Sequence, residues 1–332
     1  MYKKINETSV SLSKLIKLAI VSLVAFAGAA SAADTWPDEP IKIIVSYPAS
    51  GSVDATARIL QEPLSRILGQ PIIIENKGGA GGTIATRFVS DLKPDGYTFL
   101  MTLSSHTINP AIYATLPFDT ETDFAAVSLV SSSAQVLVAN PSFGPSSVQE
   151  LIEFVRNSPK EIPYASPGIG SPGHIAGELF KQRAGDLKLL NIPYRGGGPA
   201  VVDILGGQVP LLWVSLPAVS SFIKKGDLKA IAVSTLKRTP LMPDIPAMSE
   251  TLEGFNVDTW YAIFAPKGTP QSIITKMNNA VKESLKEEKV VKSLASIGAV
   301  PVGSSPQELQ DIVIKEIPLW KELANKSGIR VN

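Results

Sequence analysis

Three short stretches carry the residue types that can hold a small anion. Residues 47–54 read Tyr47-Pro48-Ala49-Ser50-Gly51-Ser52-Val53-Asp54. Residues 104–107 read Ser104-Ser105-His106-Thr107. Residues 166–174 read Ser166-Pro167-Gly168-Ile169-Gly170-Ser171-Pro172-Gly173-His174. Each follows an apolar run, and together they combine hydroxyl donors with backbone N–H groups left open by glycine and proline. At a helix start such N–H groups lack intrahelical partners and carry a partial positive charge, which suits a carboxylate. Ordinary capped turns share this composition, so one such loop decides nothing. Three of them point to a binding cleft.

Other chemistries fit less well. Gly168-Ile169-Gly170-Ser171-Pro172-Gly173 matches G-x-G-x-x-G between a strand and a helix. However, Tyr194-Arg195 stands where a dinucleotide site needs an acidic residue after the next strand. Residues 78–82 lack the Gly-Lys-Ser/Thr ending of a phosphate loop. Ser221-Phe222-Ile223-Lys224 matches S-x-x-K and Lys326-Ser327-Gly328 resembles K-T-G, so a secreted serine hydrolase is the alternative reading. No S-D-N accompanies them, and no G-x-S-x-G elbow occurs. The only histidines, His106 and His174, have no obvious nucleophile beside them and read as capping or hydrogen-bonding groups. The chain has no cysteine. The expectation is therefore no catalytic set, no cofactor and no metal.

The elements that would position these loops alternate along the chain. Residues 41–46 form an apolar β-branched run, and residues 71–75 and 97–103 two more. Between the first two, Val53, Ala57, Leu60, Leu64 and Leu68 recur at helical spacing and Gly69 stops the pattern. Pro63 lies inside it and predicts a kink or break. This βαβαβ order is the mark of a parallel sheet. A second series opens near Gln135, with strands predicted at 136–139, 162–166, 187–194, 209–214 and 229–234 and helices between them. A strand at 260–265 and helices at 272–286 and 306–326 follow. The break between series divides the chain into one lobe of residues 34–135 plus 260–332 and another of 136–259. Two crossings, near 131–135 and 257–260, would form a hinge.

Length and charge agree with a two-domain exported protein. The 332 residues suffice for two cores, with 44% hydrophobic and 18% charged residues arguing against disorder. Lys3, Lys4, Lys14 and Lys17 precede an apolar run at 18–30, which at ~13 residues is too short to span a bilayer. Ala30-Ser31-Ala32 fits a signal-peptidase site, so residues 1–32 read as a cleaved leader and the mature protein as periplasmic. The whole chain holds 31 basic and 30 acidic residues; losing four lysines and Glu7 leaves 27 and 29, a net charge of −2. That balance offers nothing to nucleic acid.

At several places the sequence resembles the Bug-type extracytoplasmic solute receptors of the tripartite tricarboxylate transporter family. The similarity lies in Ser46-Tyr47-Pro48 through Gly51, Asp54 and Ala57-Arg58, and in Glu75-Asn76-Lys77-Gly78-Gly79-Ala80-Gly81-Gly82. It continues in Pro94-Asp95-Gly96-Tyr97-Thr98, Asn109-Pro110 and Tyr164-Ala165-Ser166 with Gly168, Gly170-Ser171 and His174. Pro193-Tyr194-Arg195-Gly196, Asp203 to Val209 and Ala265-Pro266-Lys267-Gly268-Thr269-Pro270 complete it. The resemblance implies an α/β, two-lobed periplasmic-binding-protein fold of type II-like form, each lobe a mixed, mainly parallel sheet flanked by helices. It also implies capture of a small carboxylate between lobes and its delivery to a membrane permease, while the leader and the missing cysteine suggest a monomer. The candidate ligand-binding residues are Tyr47, Ala49, Ser50, Gly51, Asp54, Ser104, His106, Ser166, Gly168, Ile169, Ser171, Tyr194, Arg195 and Asp203. Ser50 stands where relatives usually carry glycine, and Arg195 offers a planar donor fork suited to a second carboxylate.

Overall fold

The computed structural model describes residues 36–49 and 51–330. The expected leader, its cleavage site and Ser50 lie outside these residues. β1 (Ile41–Val45) buries Ile41, Ile43, Ile44 and Val45, as a strand covered on both faces should. α1 (Ser52–Leu68) turns Val53, Ala57, Leu60, Leu64 and Leu68 inward, and Gly69 closes it in the left-handed region at φ 74°. The expected break at Pro63 does not occur; the helix runs on, with Pro63 buried between Leu60 and Leu64. Apolar packing of the ring offsets the missing backbone donor there.

β2 (Ile72–Asn76) lies parallel to β1, with Ile74 opposite Ile43. A 3-10 turn at Ala80–Gly82 leads into α2 (Thr83–Ser90). β3 (Thr98–Leu103) pairs in parallel with the other side of β1. This is the βαβαβ unit expected from the apolar runs. Residues 104–107, expected as a loop, instead start a helix, α3 (Ser105–Ile112), which runs through Pro110. Ser, Thr, Asn and Pro dominate its sequence and mask it, while Ile108 and Ile112 alone carry its buried apolar stripe.

β4 (Phe124–Ala139) is one continuous 16-residue strand, and the apolar pattern predicts only its last four residues. Its central serines resemble a linker. They sit in a strand because neighbouring loops accept their hydroxyls: Ser128 Oγ donates to Ser304 O at 3.1 Å and Ser133 Oγ to Gly298 O at 3.0 Å. The second series follows in order: α4 (Val148–Asn157), β5 (Ile162–Ser166), α5 (Pro172–Arg183), β6 (Leu189–Pro193), α6 (Gly197–Leu205), β7 (Leu211–Ser215), α7 (Leu216–Lys225) and β8 (Lys229–Val233). β9 (Asp258–Pro266), α8 (Gln271–Ser284), α9 (Glu288–Ser296), β10 (Val300–Pro301) and α10 (Pro306–Ser327) complete the described chain.

The described strands form one mixed sheet, ordered β2-β1-β3-β9-β4-β7-β5-β6, with β8 and β10 also paired to β4. Pairing is parallel within each series (β1 with β2 and β3; β5 with β6 and β7). It is antiparallel where β4 and β9 run between them. Around the first series, Val53 and Leu60 of α1 pack on Ile43, Met101, Ile263 and Met277. Around the second, Tyr164, Trp213, Leu151 and Phe180 form a separate core. α10 serves both: Leu309, Val313 and Ile317 pack beside β9, while Trp320 and Leu323 reach the second core with Ile108 and Ile112 of α3. No helix among the described residues is long and apolar enough to cross a membrane.

Candidate functional site

The first loop leaves β1 and enters α1 at Gly51, which offers no capping side chain. The first-turn amides are therefore not satisfied by a side-chain cap at that position. Asp54, the acidic residue of that turn, is 3% exposed and already engaged. Arg58 Nε donates to both of its carboxylate oxygens at 3.0 Å. Asn76 Nδ2 donates to Asp54 Oδ1 and also to the Tyr47 carbonyl, each at 3.0 Å. Asn76 thus ties the loop backbone to the end of β2. An anion arriving at α1 meets helix amides and a carboxylate whose charge is shared with a guanidinium. Ala49 is exposed on the same loop.

A second set of bonds ties this loop to α3. Tyr47 Oη lies 2.7 Å from Ser105 Oγ and donates toward Gly81 O at 3.2 Å. Ser105 Oγ and Asn109 Nδ2 converge on the same carbonyl at 3.0 and 3.1 Å. Gly81 holds a positive φ of 62°, with Asn109 close by, so this turn needs glycine. Burial pushes the Tyr47 phenol up to about 12, so it stays a protonated donor.

Three groups nearby stand in surroundings that the sequence does not suggest. Ser104, at the end of β3, has a buried hydroxyl without a hydrogen-bond partner among the described residues. His106 sits in aromatic packing rather than on the loop surface, its ring 5.2 Å from Phe124 and 4.7 Å from Phe264. Neither ring nitrogen finds a partner among the described residues, and desolvation holds its pKa down at about 3. Tyr261 of β9, absent from the sequence candidates, is 1% exposed and brings its hydroxyl beside Ser52 at the first turn of α1. Its only sequence signal is a phenol inside the apolar run Trp260-Tyr261-Ala262-Ile263-Phe264.

The second-series loop is built by close contacts. Ser166 is buried at the end of β5, and its hydroxyl pairs with the Asn191 amide at 2.9 Å. Gly168 has φ 136°, and a Cβ there would come 3.2 Å from the Tyr194 carbonyl. Gly170 has φ 72°, and a Cβ would lie 2.0 Å from Ile112 Cδ1, so this loop presses on α3. A Cβ on Gly173 would lie 2.5 Å from Trp213 O. Packing accounts for the glycines of the G-x-G-x-x-G match. Ser171 caps α5 by accepting from His174 N at 3.2 Å. His174 Nδ1 in turn accepts from Gly170 N at 3.1 Å, and burial, then Lys181, hold its pKa down at about 4. Ile169 projects half-exposed.

Tyr194 donates its phenol to Asp203 Oδ2 at 2.7 Å, and its backbone N–H to Ser166 O at 2.9 Å. The latter bond joins the ends of β5 and β6. Arg195 is exposed. Ser221 and Lys224, the S-x-x-K match, lie on α7, and Lys326 pairs with Glu322 on α10 at 2.7 Å. No group of His, Asp and Glu among the described residues is arranged to hold a metal ion.

These loops sit at the carboxyl ends of strands in a fold with known counterparts. The family model for the tripartite tricarboxylate transporter family receptor matches residues 56–329. The chain belongs to this receptor family. Protein BugT of Bordetella pertussis is 36% identical over 320 residues, covering 95% of this chain and 98% of its own. A Rhodopseudomonas palustris structure with adipate is 34% identical with a TM-score of 0.81, covering 89% of this chain and 99% of that one. MatC from the same organism, with bound malate, is 30% identical with a TM-score of 0.78, covering 87% and 99%. The receptor therefore has the α/β fold of the periplasmic binding proteins, as its sequence blocks implied.

Proposed function

We propose that this receptor captures a small carboxylate in the periplasm and delivers it to a tripartite tricarboxylate-type permease. One observation carries the reading: α1 begins at a glycine without a capping side chain, and its one acidic neighbour, Asp54, is already paired with Arg58. An incoming carboxylate gains amide hydrogen bonds and the positive end of the helix dipole without meeting an unpaired like charge. Residues 166–171, with Gly168, Ile169 and Ser171, would close over the ligand from the second series. Tyr194 and Arg195 would stand behind them, with Asp203 fixing the Tyr194 phenol. The relatives crystallised with adipate and malate support the carboxylate class.

The test is a thermal-shift panel of mono-, di- and tricarboxylates and acidic amino acids, followed by calorimetry on those that respond. A ligand at a hundred times its Kd should stabilise the folded receptor by about 2.7 kcal/mol. No response to any acid would remove the proposal. Recovery of a chemically altered acid after incubation would favour the hydrolase alternative instead.

A further inference from the structure

We propose that the Tyr261 hydroxyl is a ligand contact, donating a hydrogen bond to the solute's acidic group at the N-terminus of α1. This rests on the carboxylate reading above and adds a contact residue to it. Three independent features meet at this phenol. Its side chain is 1% exposed, so no bulk water reaches it. Its hydroxyl has no hydrogen bond of ordinary geometry among the described residues, although the Ser52 hydroxyl lies beside it. Through its neighbour Ser52 it lies at the first turn of a 17-residue helix whose N-cap supplies no side chain.

The backbone explains how the phenol gets there. β9 pairs antiparallel with β3, placing Tyr261 opposite Leu103, and with β4, placing it opposite Ser131. Tyr261 thus shares a sheet face with Leu103 and packs in the core that holds Val53 of α1. From that face the ring reaches up to Ser52, and it lies close enough to Tyr47 to raise the Tyr47 phenol further. Buried hydroxyls are rarely left unsatisfied, because losing water without gaining a partner is costly. A carboxylate on the α1 amides supplies the missing acceptor. Burial keeps the phenol protonated, with a pKa pushed up to about 12, so it can only help a ligand that accepts.

The test compares the full chain with Tyr261→Phe, which deletes one oxygen and keeps the ring. Both proteins are titrated calorimetrically with the carboxylate that shifts the wild type most among malate, adipate and a panel of mono- and tricarboxylates. The expected result is a loss of affinity of about 10- to 100-fold, the range for a charge-assisted hydrogen bond. The ligand-free melting temperature should stay nearly equal, since the deleted hydroxyl makes no hydrogen bond of ordinary geometry among the described residues. A merely structural role would lower that temperature. Unchanged affinity in Tyr261→Phe, with the wild type still binding, overturns this inference and leaves the carboxylate reading standing. A wild type that binds none of the acids overturns both.

Discussion

At the scale of single residues, the site depends on who holds each charge. Asp54 is buried but bonded to Arg58 and Asn76, so its carboxylate organises the loop that presents the α1 amides. Asn76→Ala should release both the Tyr47 carbonyl and one Asp54 oxygen. We expect a stability loss of about 1–3 kcal/mol, the cost of leaving a buried group unpaired, together with weaker ligand binding. Denaturant melts and calorimetry on the same variant would show both changes. Gly51→Asp separates fold from function. Aspartate is a better N-cap than glycine by only about a few tenths of a kcal/mol, and its Cβ would come 3.3 Å from the Pro48 carbonyl, yet its charge would sit at the proposed place of the ligand's. A nearly unchanged melting temperature with at least about tenfold weaker carboxylate binding is expected, and unchanged affinity would place the anion elsewhere. His106 supplies a pH dependence. Its folded pKa of about 3 lies below the ordinary 6.5, so the unfolded chain takes up a proton that the folded chain refuses. Its contribution is fully present above pH 6.5 and is lost as pH falls toward 3. His106→Leu should therefore melt higher than wild type at about pH 5 by more than it does at about pH 8.

At the scale of elements, α3, β9 and α10 meet at one carboxylate. Glu316 of α10 accepts from Thr107 Oγ1 at 2.6 Å and from Trp260 Nε1 at 3.1 Å. Trp320 Nε1 adds a longer bond at 3.4 Å. Burial raises the Glu316 pKa even against these three donors. Asp258, on the crossing part of β9, is pushed up to about 6 by burial and then by Glu316. A raised acid pKa favours the folded state below the unfolded value and loses that advantage as pH climbs through 6. Asp258→Asn should therefore stabilise the protein at about pH 8, by about 2–3 kcal/mol at most, and do little at about pH 4. Thermal melts at the two pH values decide it. The elements themselves are unevenly legible. β1, α1, β2 and β3 follow from apolar runs of the right period and from Gly69. α3 and the first half of β4 do not, because Ser105, His106, Thr107 and Asn109, like Ser131 and Ser133, are polar in sequence and buried only through tertiary partners. The candidate anion loops are visible from Ser, Gly and Pro composition. Tyr261 and the part Asn76 plays are not, since each acts on a residue far away in the chain that only strand pairing brings near.

At the scale of the whole molecule, two series of βα units with their own cores are joined by β4 and β9, the strands predicted to form a hinge. Closure about them should reduce the radius of gyration when ligand is bound, and solution scattering with and without a saturating carboxylate would read it. An identical radius in both states would count against a hinge at these strands. In the proposed complex a carboxylate sits at the start of α1 and is met by the loop after β5. Amide chemical shifts, followed residue by residue as the receptor is titrated with the carboxylate that stabilises it most, would locate the bound acid. The largest changes should fall at Gly51, Ser52 and Val53 and at Gly168 to Ser171, saturating together at one equivalent. Saturating binding that leaves all of these amides unmoved would contradict this placement.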